Sequence, residues 1–411
     1  MITGHDLRRV RLENGVGLGK LAAMIGRTKG HLSKVERGVE ERAVTPALVR
    51  DYERVLNVKV SATRNSDSTD ATQKAENAEP GVPSTGTEAV ARLRSMREGL
   101  DRVVGGGAMS EANLADWERT VTRYAAATRH RSSGPLLNEL IGDFAELERR
   151  LSLRQPLSAM RRLTIVTAQM AGLISLTLLK LNEFAESRHW ARSARVAADE
   201  AGEPTVQSWV RAQEAYAHYY SGSLSAAISV AEEAQAIAAR RPCVGVALAA
   251  ALEARAQAAL GRPDETRAAL RRARETLARL QGESLVPSAF GYNEAQLSFH
   301  EGNAFTHLHD VAAAWRAQQR ALALYPGSDF MDRALIRLDR ASCLAHHGDV
   351  DAATRQAVQT LAELTGQQRA GLIENRARQL FYELPQKHRA RPAARELQEI
   401  LMTKTEQGET G

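Results

Sequence analysis

The chain has 411 residues, 43% of them hydrophobic but only 5% aromatic, with two cysteines and a net charge of +6. This length accommodates a small domain beside a large one. Cys243 and Cys343 lie 100 residues apart, which excludes a disulfide-stapled scaffold and offers no metal-ligand spacing. They read as small buried hydrophobes in a reducing compartment. Residues 1–60 carry 12 Lys and Arg against 7 Asp and Glu, so five of the six net charges sit there. Contact with nucleic acid is therefore expected from that segment and not from the remaining 351 residues. No apolar run is read as membrane-spanning and no signal peptide is recognised, so the expectation is a cytoplasmic protein with no membrane partner. Alanine-rich, aromatic-poor sequence of this kind favours close-packed helices, and the predicted fold class is all-α.

In chain order, residues 1–14 form a first helix, with apolar Leu7, Val10 and Leu12 beside Arg8, Arg9 and Arg11. Residues 18–37 follow as two short helices around a turn. Leu21 and Ile25 supply the apolar positions of the first, and small Ala22 allows close crossing. Gly26 suits a left-handed turn position. Thr28 is a good N-cap for the second helix, whose Leu32 and Val35 face inward. Lys29, His31, Ser33, Lys34 and Arg37 are left facing outward, on a helix sized for a DNA major groove. Thr45–Pro46 opens a last helix through Leu56, with proline where its missing N–H costs least.

These residues, with the run Leu32–Ser33–Lys34–Val35–Glu36–Arg37–Gly38, resemble the Cro/repressor-like helix-turn-helix family, also called the xenobiotic-response-element (XRE) family of bacterial regulators. The resemblance covers about the first 58 residues and implies a five-helix-type DNA-binding domain over 1–60. It implies Lys29, Gly30, Ser33 and Lys34 as base-facing positions, flanked by Arg27, Thr28 and Arg37. Solvation of an exposed helix face is the competing account of Lys29 and Lys34. Gly17–Leu18 stand where the family usually has Thr-Gln, so one phosphate clamp is missing, and Arg27 replaces a usual apolar residue.

Residues 61–87 lose all apolar periodicity and read as a flexible linker. Helical periodicity returns with Val90, Leu93, Met96 and Leu100, breaks at Gly105–Gly107, and resumes at Leu114, Trp117, Val121 and Tyr124 and over Leu136–Leu151. An internal repeat then appears. Asn182, Gly222, Gly261, Gly302 and Gly348 mark successive turns, spaced 40, 39, 41 and 46 residues apart. Seven residues before each stand Ser175, Ala215, Ala254, Ala295 and Ala341. Five after come Ser187, Ala227, Thr266 and Ala353, and twelve after come Ala194, Ala234, Ala273 and Thr360. The Gly302 unit fits if seven residues are inserted in its turn, which brings in Ala314 and Ala321.

This pattern resembles the tetratricopeptide repeat (TPR), in a version longer than the usual ~34 residues. It implies a TPR-like α-solenoid over 88–401, clearest over 163–364, with a disordered tail at 402–411. The family's groove-facing positions map onto Trp209, Gln213, Tyr216, Arg255, Tyr292, Asn293, Gln296 and Asp339, a set suited to a peptide or protein effector. Packing between adjacent helices is the competing account of Trp209 and Tyr216. No catalytic, cofactor or metal site is found. Gly105–Gly107 lacks the Lys-Ser/Thr of a phosphate loop, His346–His347 has only Asp349 nearby, and His307 and His309 sit in a predicted turn. The joined modules resemble actinobacterial and peptide-sensing regulators. They imply a homodimer on a double-stranded DNA operator, associated with the nucleoid when bound. A scaffold that recruits a protein partner, with no small effector, is the alternative, and a degenerate head used for protein contacts is a third.

Overall fold

The computed structural model describes residues 3–14, 16–37, 44–56, 58, 93, 96, 109–238, 241–369 and 371–402. Among them are 18 α-helices and no strand, as the composition predicts. The chain divides into two compact units between Ser84 and Thr85, inside the expected linker. The linker itself, the expected fifth helix of the first unit, Gly105–Gly107 and residues 403–411 of the tail lie outside the described residues. Of the helix expected after the linker, only Leu93 and Met96 are described, both helical and exposed.

The first unit contains α1 (Gly4–Glu13), α2 (Leu18–Met24), α3 (Lys29–Glu36) and α4 (Pro46–Leu56). Thr3 and Asp6 close a capping box on α1. Leu7, Val10, Leu21, Ala22, Leu32, Val35, Leu48, Tyr52 and Leu56 form one core. Leu12, expected among its apolar positions, is instead 57% exposed. Gly26 turns with φ +66°, as its place in the sequence predicts. At Gly4 a Cβ would lie 1.9 Å from the Val35 carbonyl oxygen, so only glycine lets α1 start against the end of α3.

The described residues of the second unit from Glu111 onward form fourteen α-helices, arranged as successive hairpins. They pair α5 (Glu111–Ala127) with α6 (Ser133–Leu151), α7 (Leu157–Lys180) with α8 (Phe184–Ala201), and α9 (Pro204–Tyr220) with α10 (Leu224–Ile237). Next come α11 (Val244–Ala259) with α12 (Pro263–Leu277), α13 (Glu294–His307) with α14 (Val311–Leu324), α15 (Phe330–His346) with α16 (Val350–Ala362), and α17 (Leu372–Glu383) with α18 (Pro392–Met402). From α7 onward the first helix of each hairpin packs on the first helix of the next, giving a repeat-like stack.

The small residues of the repeat are the contact points. Ser175, Ala215, Ala254 and Ala341 are buried, as are Ser187, Ala227, Thr266, Ala314 and Ala353, and Ala194, Ala234, Ala273, Ala321 and Thr360. Ser175 Oγ donates to the Ser187 carbonyl at 2.8 Å, and Ser187 Oγ donates back at 2.9 Å. One mark is corrected. Positive φ occurs at Asn182, Gly222, Gly261, Gly348 and His309, not at Gly302. Gly302 lies inside α13 at the small-residue position seven before His309, where a Cβ would stand 2.9 Å from Gln318 Cγ. The extra length lies not in that turn but in the 278–293 connection between α12 and α13. A second correction concerns α7, which is long and apolar enough to cross a membrane. It is packed inside the unit, with 61% of its most apolar window buried, against α5, α6, α8 and α9.

Candidate functional site

On α3, sequence and packing divide the residues cleanly. Thr28 Oγ1 accepts the His31 N–H at 3.3 Å, capping the helix. Leu32, Val35 and Glu36 are buried. Of the seven residues expected to meet DNA, Arg27, Thr28, Lys29, Gly30, Lys34 and Arg37 are exposed and Ser33 is half-buried. The stem of Lys29 lies over α2, with its Cδ 4.0 Å from where a Gly19 Cβ would stand, and Arg37 Nε donates to the Ser33 carbonyl at 3.1 Å. The only acid between Arg27 and Arg37 is Glu36, and it faces inward. The exposed charges of this stretch are therefore all cationic.

What orients α3 was not read from the sequence. Arg11 Nε and Nη2 donate to Glu36 Oε1 and Oε2 at 2.7 and 2.6 Å, and Arg11 Nη1 donates to the Val16 carbonyl at 3.0 Å. Tyr52 OH donates to Glu36 Oε1 at 2.9 Å. This buried bidentate pair ties α1, α3 and α4 together and removes Arg11 from the exposed cations. Burial and the Glu36 carboxylate push the Tyr52 hydroxyl well above its ordinary pKa.

In the second unit, the face expected to be an open groove is closed. The 278–293 connection, with a 3₁₀ turn at Gly282–Leu285, folds onto it. Ala289 N–H donates to the Ala125 carbonyl at 3.0 Å, and Trp209 Nε1 donates to the Ala289 carbonyl at 2.7 Å. The Trp209 ring meets Phe290 edge-on at 4.9 Å. From the other side, Arg129 after α5 pairs with Asp329 at 3.1 Å and Asp332 at 2.8 Å. Lys180 Nζ donates to the Thr128 carbonyl at 2.6 Å, and Leu372 packs on Leu179. The stack thus curls back on itself, and early hairpins touch late ones.

The eight groove residues fare differently. Trp209 and Tyr292 are buried core, against the expectation of a peptide-facing surface. Asn293 and Gln296 form the capping box of α13. Asp339 is engaged by Arg376 Nε at 2.8 Å and by Asn303 Nδ2 at 2.8 Å. Gln213 and Tyr216 line a small pocket of about 70 Å³, and Gln213 Oε1 has no partner. Arg255 lines a larger cavity of about 190 Å³ between α9, α11, α13, α15 and α17. Tyr220, Phe299, Leu335 and Leu372 wall both.

Arg255 is the centre of this interior. Its guanidinium carbon lies 4.4 Å from the Tyr219 ring centroid, 5.2 Å from Tyr220 and 5.3 Å from Phe299. Nε donates to Asn303 Oδ1 at 2.7 Å and Nη2 to Tyr220 OH at 3.0 Å. The surroundings are otherwise neutral or paired. Burial drives the His300 and His307 pKa values down, His307 to about 4, with Arg376 and Arg255 adding to the effect on His307. Burial raises the Tyr216 and Tyr220 hydroxyls. Sequence reasoning found Arg255 but missed Tyr219, Tyr220, Asn303 and Arg376; Tyr219–Tyr220 at a helix end, one repeat before Arg255, was the available signal.

Neither protein-family models nor curated proteins give a match to this chain. No group of His, Cys, Asp and Glu among the described residues is arranged to hold a metal ion.

Proposed function

We propose that this chain is a sequence-specific DNA-binding transcriptional regulator, with an XRE-type helix-turn-helix head formed by α1–α4 and a TPR-like body that senses an effector. The observation that carries the reading is the outward side of α2–turn–α3. Arg27, Lys29, Lys34 and Arg37 are exposed there with no exposed acid between them, on a helix whose inner side is fixed by Arg11, Glu36 and Tyr52. A rigid helix with such a face suits docking in a major groove, where phosphate contacts position it and Lys29, Ser33 and Lys34, beside the open position of Gly30, reach base edges. The protein acts as a homodimer on an inverted repeat. The body supports an effector role through the two pockets walled by Tyr220, Phe299, Leu335 and Leu372. Because the concave side is occupied by the 278–293 connection, the effector presents a small group to the interior and does not lie as an extended chain along it.

The test is a salt titration of DNA binding by the full chain. Replacing Lys29 and Lys34 with Ala should weaken binding and lower the slope of log K against log salt by ~1.8, about 0.9 for each lost phosphate contact. An unchanged slope would turn α3 away from DNA.

A further inference from the structure

The larger cavity contains a charge the protein does not balance. Arg255 is only 2% exposed, and no carboxylate among the described residues lies within 4.0 Å of it. Two of its three nitrogens are used on Asn303 and Tyr220, while Nη1 is buried with no acceptor. A guanidinium so placed is costly unless something completes it, because desolvation is offset only by paired charge and filled hydrogen bonds. Asp339, the one carboxylate among the residues that line the cavity, is already held by Arg376 and Asn303. Arg376 is paired with Asp339 at 2.8 Å and with Glu383 at 3.7 Å, so of the two arginines in the lining only Arg255 lacks a carboxylate partner.

We propose that this cavity is a binding site for a monocarboxylate with a short apolar body, its carboxylate pairing with the Arg255 guanidinium. The inference deepens the effector reading above and rests on it. One unit of negative charge pairs the Arg255 guanidinium, whereas a phosphate dianion overshoots it and finds too few free donors. A chloride ion or a water molecule leaves the apolar walls of Tyr219, Phe299, Leu335 and Leu372 uncovered. Size sets the body: a cavity of ~150 Å³ takes a benzene ring, so the 190 Å³ here fits a carboxylate carrying a ring or short aliphatic chain. Asn375 and Gln379 at the start and middle of α17 also line the space and offer amide donors to the second carboxylate oxygen. A free small acid and the C-terminal residue of a peptide share this chemistry.

The experiment is calorimetry and thermal unfolding of the full-length protein, without DNA. The probes are butyrate and 3-phenylpropionate, 3-phenylpropionamide as neutral isostere, and Ala-Ala-Phe with a free or an amidated C-terminus. The acids should bind saturably and raise the unfolding temperature, the amide and amidated peptide should not, and Arg255→Met should weaken acid binding about tenfold or more. If Arg255→Met fails to fold, Ala259→Phe, which fills the cavity from the half-buried end of α11, should abolish binding in a folded chain. Tighter binding of 3-phenylpropionate than of the peptide assigns a free acid; the reverse assigns a peptide terminus. Equal binding of acid and amide, binding untouched by both variants, or no saturable binding of any acid overturns the proposal. Operator retention with and without the bound acid is scored separately: binding that leaves retention unchanged preserves the site and refutes the effector reading.

Discussion

Glu36→Ala should unfold the first unit without altering the exposed cationic face of α3. The carboxylate takes three hydrogen bonds, two from Arg11 and one from Tyr52, all inside the core. Truncation leaves the buried Arg11 guanidinium with no carboxylate and only the Val16 carbonyl, and breaking a buried pair from one side costs ~3–5 kcal/mol. Helices α1–α4 run from Gly4 to Leu56, and a unit of that size holds only ~3–8 kcal/mol of stability at ~0.05–0.15 kcal/mol per residue. The loss is therefore most of what the unit has. All four tryptophans, Trp117, Trp190, Trp209 and Trp315, lie in the second unit, so tryptophan fluorescence does not report on this change. Hydrogen exchange of the α3 amides does. Glu36→Ala should collapse their protection while the fluorescence transition stays in place. Arg11→Met with Glu36→Leu should restore much of it, since an apolar pair replaces the charges without an orphan. Protection unchanged in Glu36→Ala would refute the role given to this network.

Three further outcomes are expected. Gly245→Ala places a Cβ 2.5 Å from Trp209 N and 2.6 Å from the Ser208 carbonyl carbon, so α9 and α11 must separate; a net loss of about 1–2 kcal/mol remains after the ~1 kcal/mol helix-propensity gain, and an unchanged or raised fluorescence midpoint would contradict this. Burial pushes the Lys180 pKa down to about 8, so between pH 8 and ~10 the unfolded chain holds a proton the folded chain has lost, and stability rises with pH by at most ~3 kcal/mol; Lys180→Met should flatten that rise, and an identical slope would remove Lys180 as its source. With the His307 pKa pushed down to about 4, the unfolded chain binds more protons from pH ~6.5 down to 4, so stability falls through that window; His307→Gln should lessen the fall, and denaturant midpoints that decline equally in both chains would argue against it.

The parts of this fold that depend on local signals were readable from the chain. Gly26, Thr28, Leu32 and Val35 act at neighbouring positions, and each does in three dimensions what its residue type requires locally. The repeated small residues were legible because every hairpin needs the same close approach. Long-range choices were not. Arg11 looked like one more surface cation, because nothing local distinguishes it from Arg8 or Arg9 until Glu36 and Tyr52 arrive from distant segments. Gly302 was mistaken for a turn because glycine serves both a left-handed φ and a tight helix crossing; His309 takes the turn with φ +57°. The concave residues were placed on an open face because helix periodicity does not reveal that the 278–293 connection folds back over them. The length of that connection was the clue, since long loops in compact domains usually have a purpose.

DNA recognition by α3 is best tested by immunoprecipitation of tagged full-length protein from living cells, with sequencing of the bound DNA, beside the Lys29→Ala, Lys34→Ala double variant. Such recognition should give sharp peaks that share an inverted repeat and vanish in the variant, whose second unit still unfolds at the normal temperature. Diffuse enrichment, or peaks that survive the loss of both lysines, would contradict it.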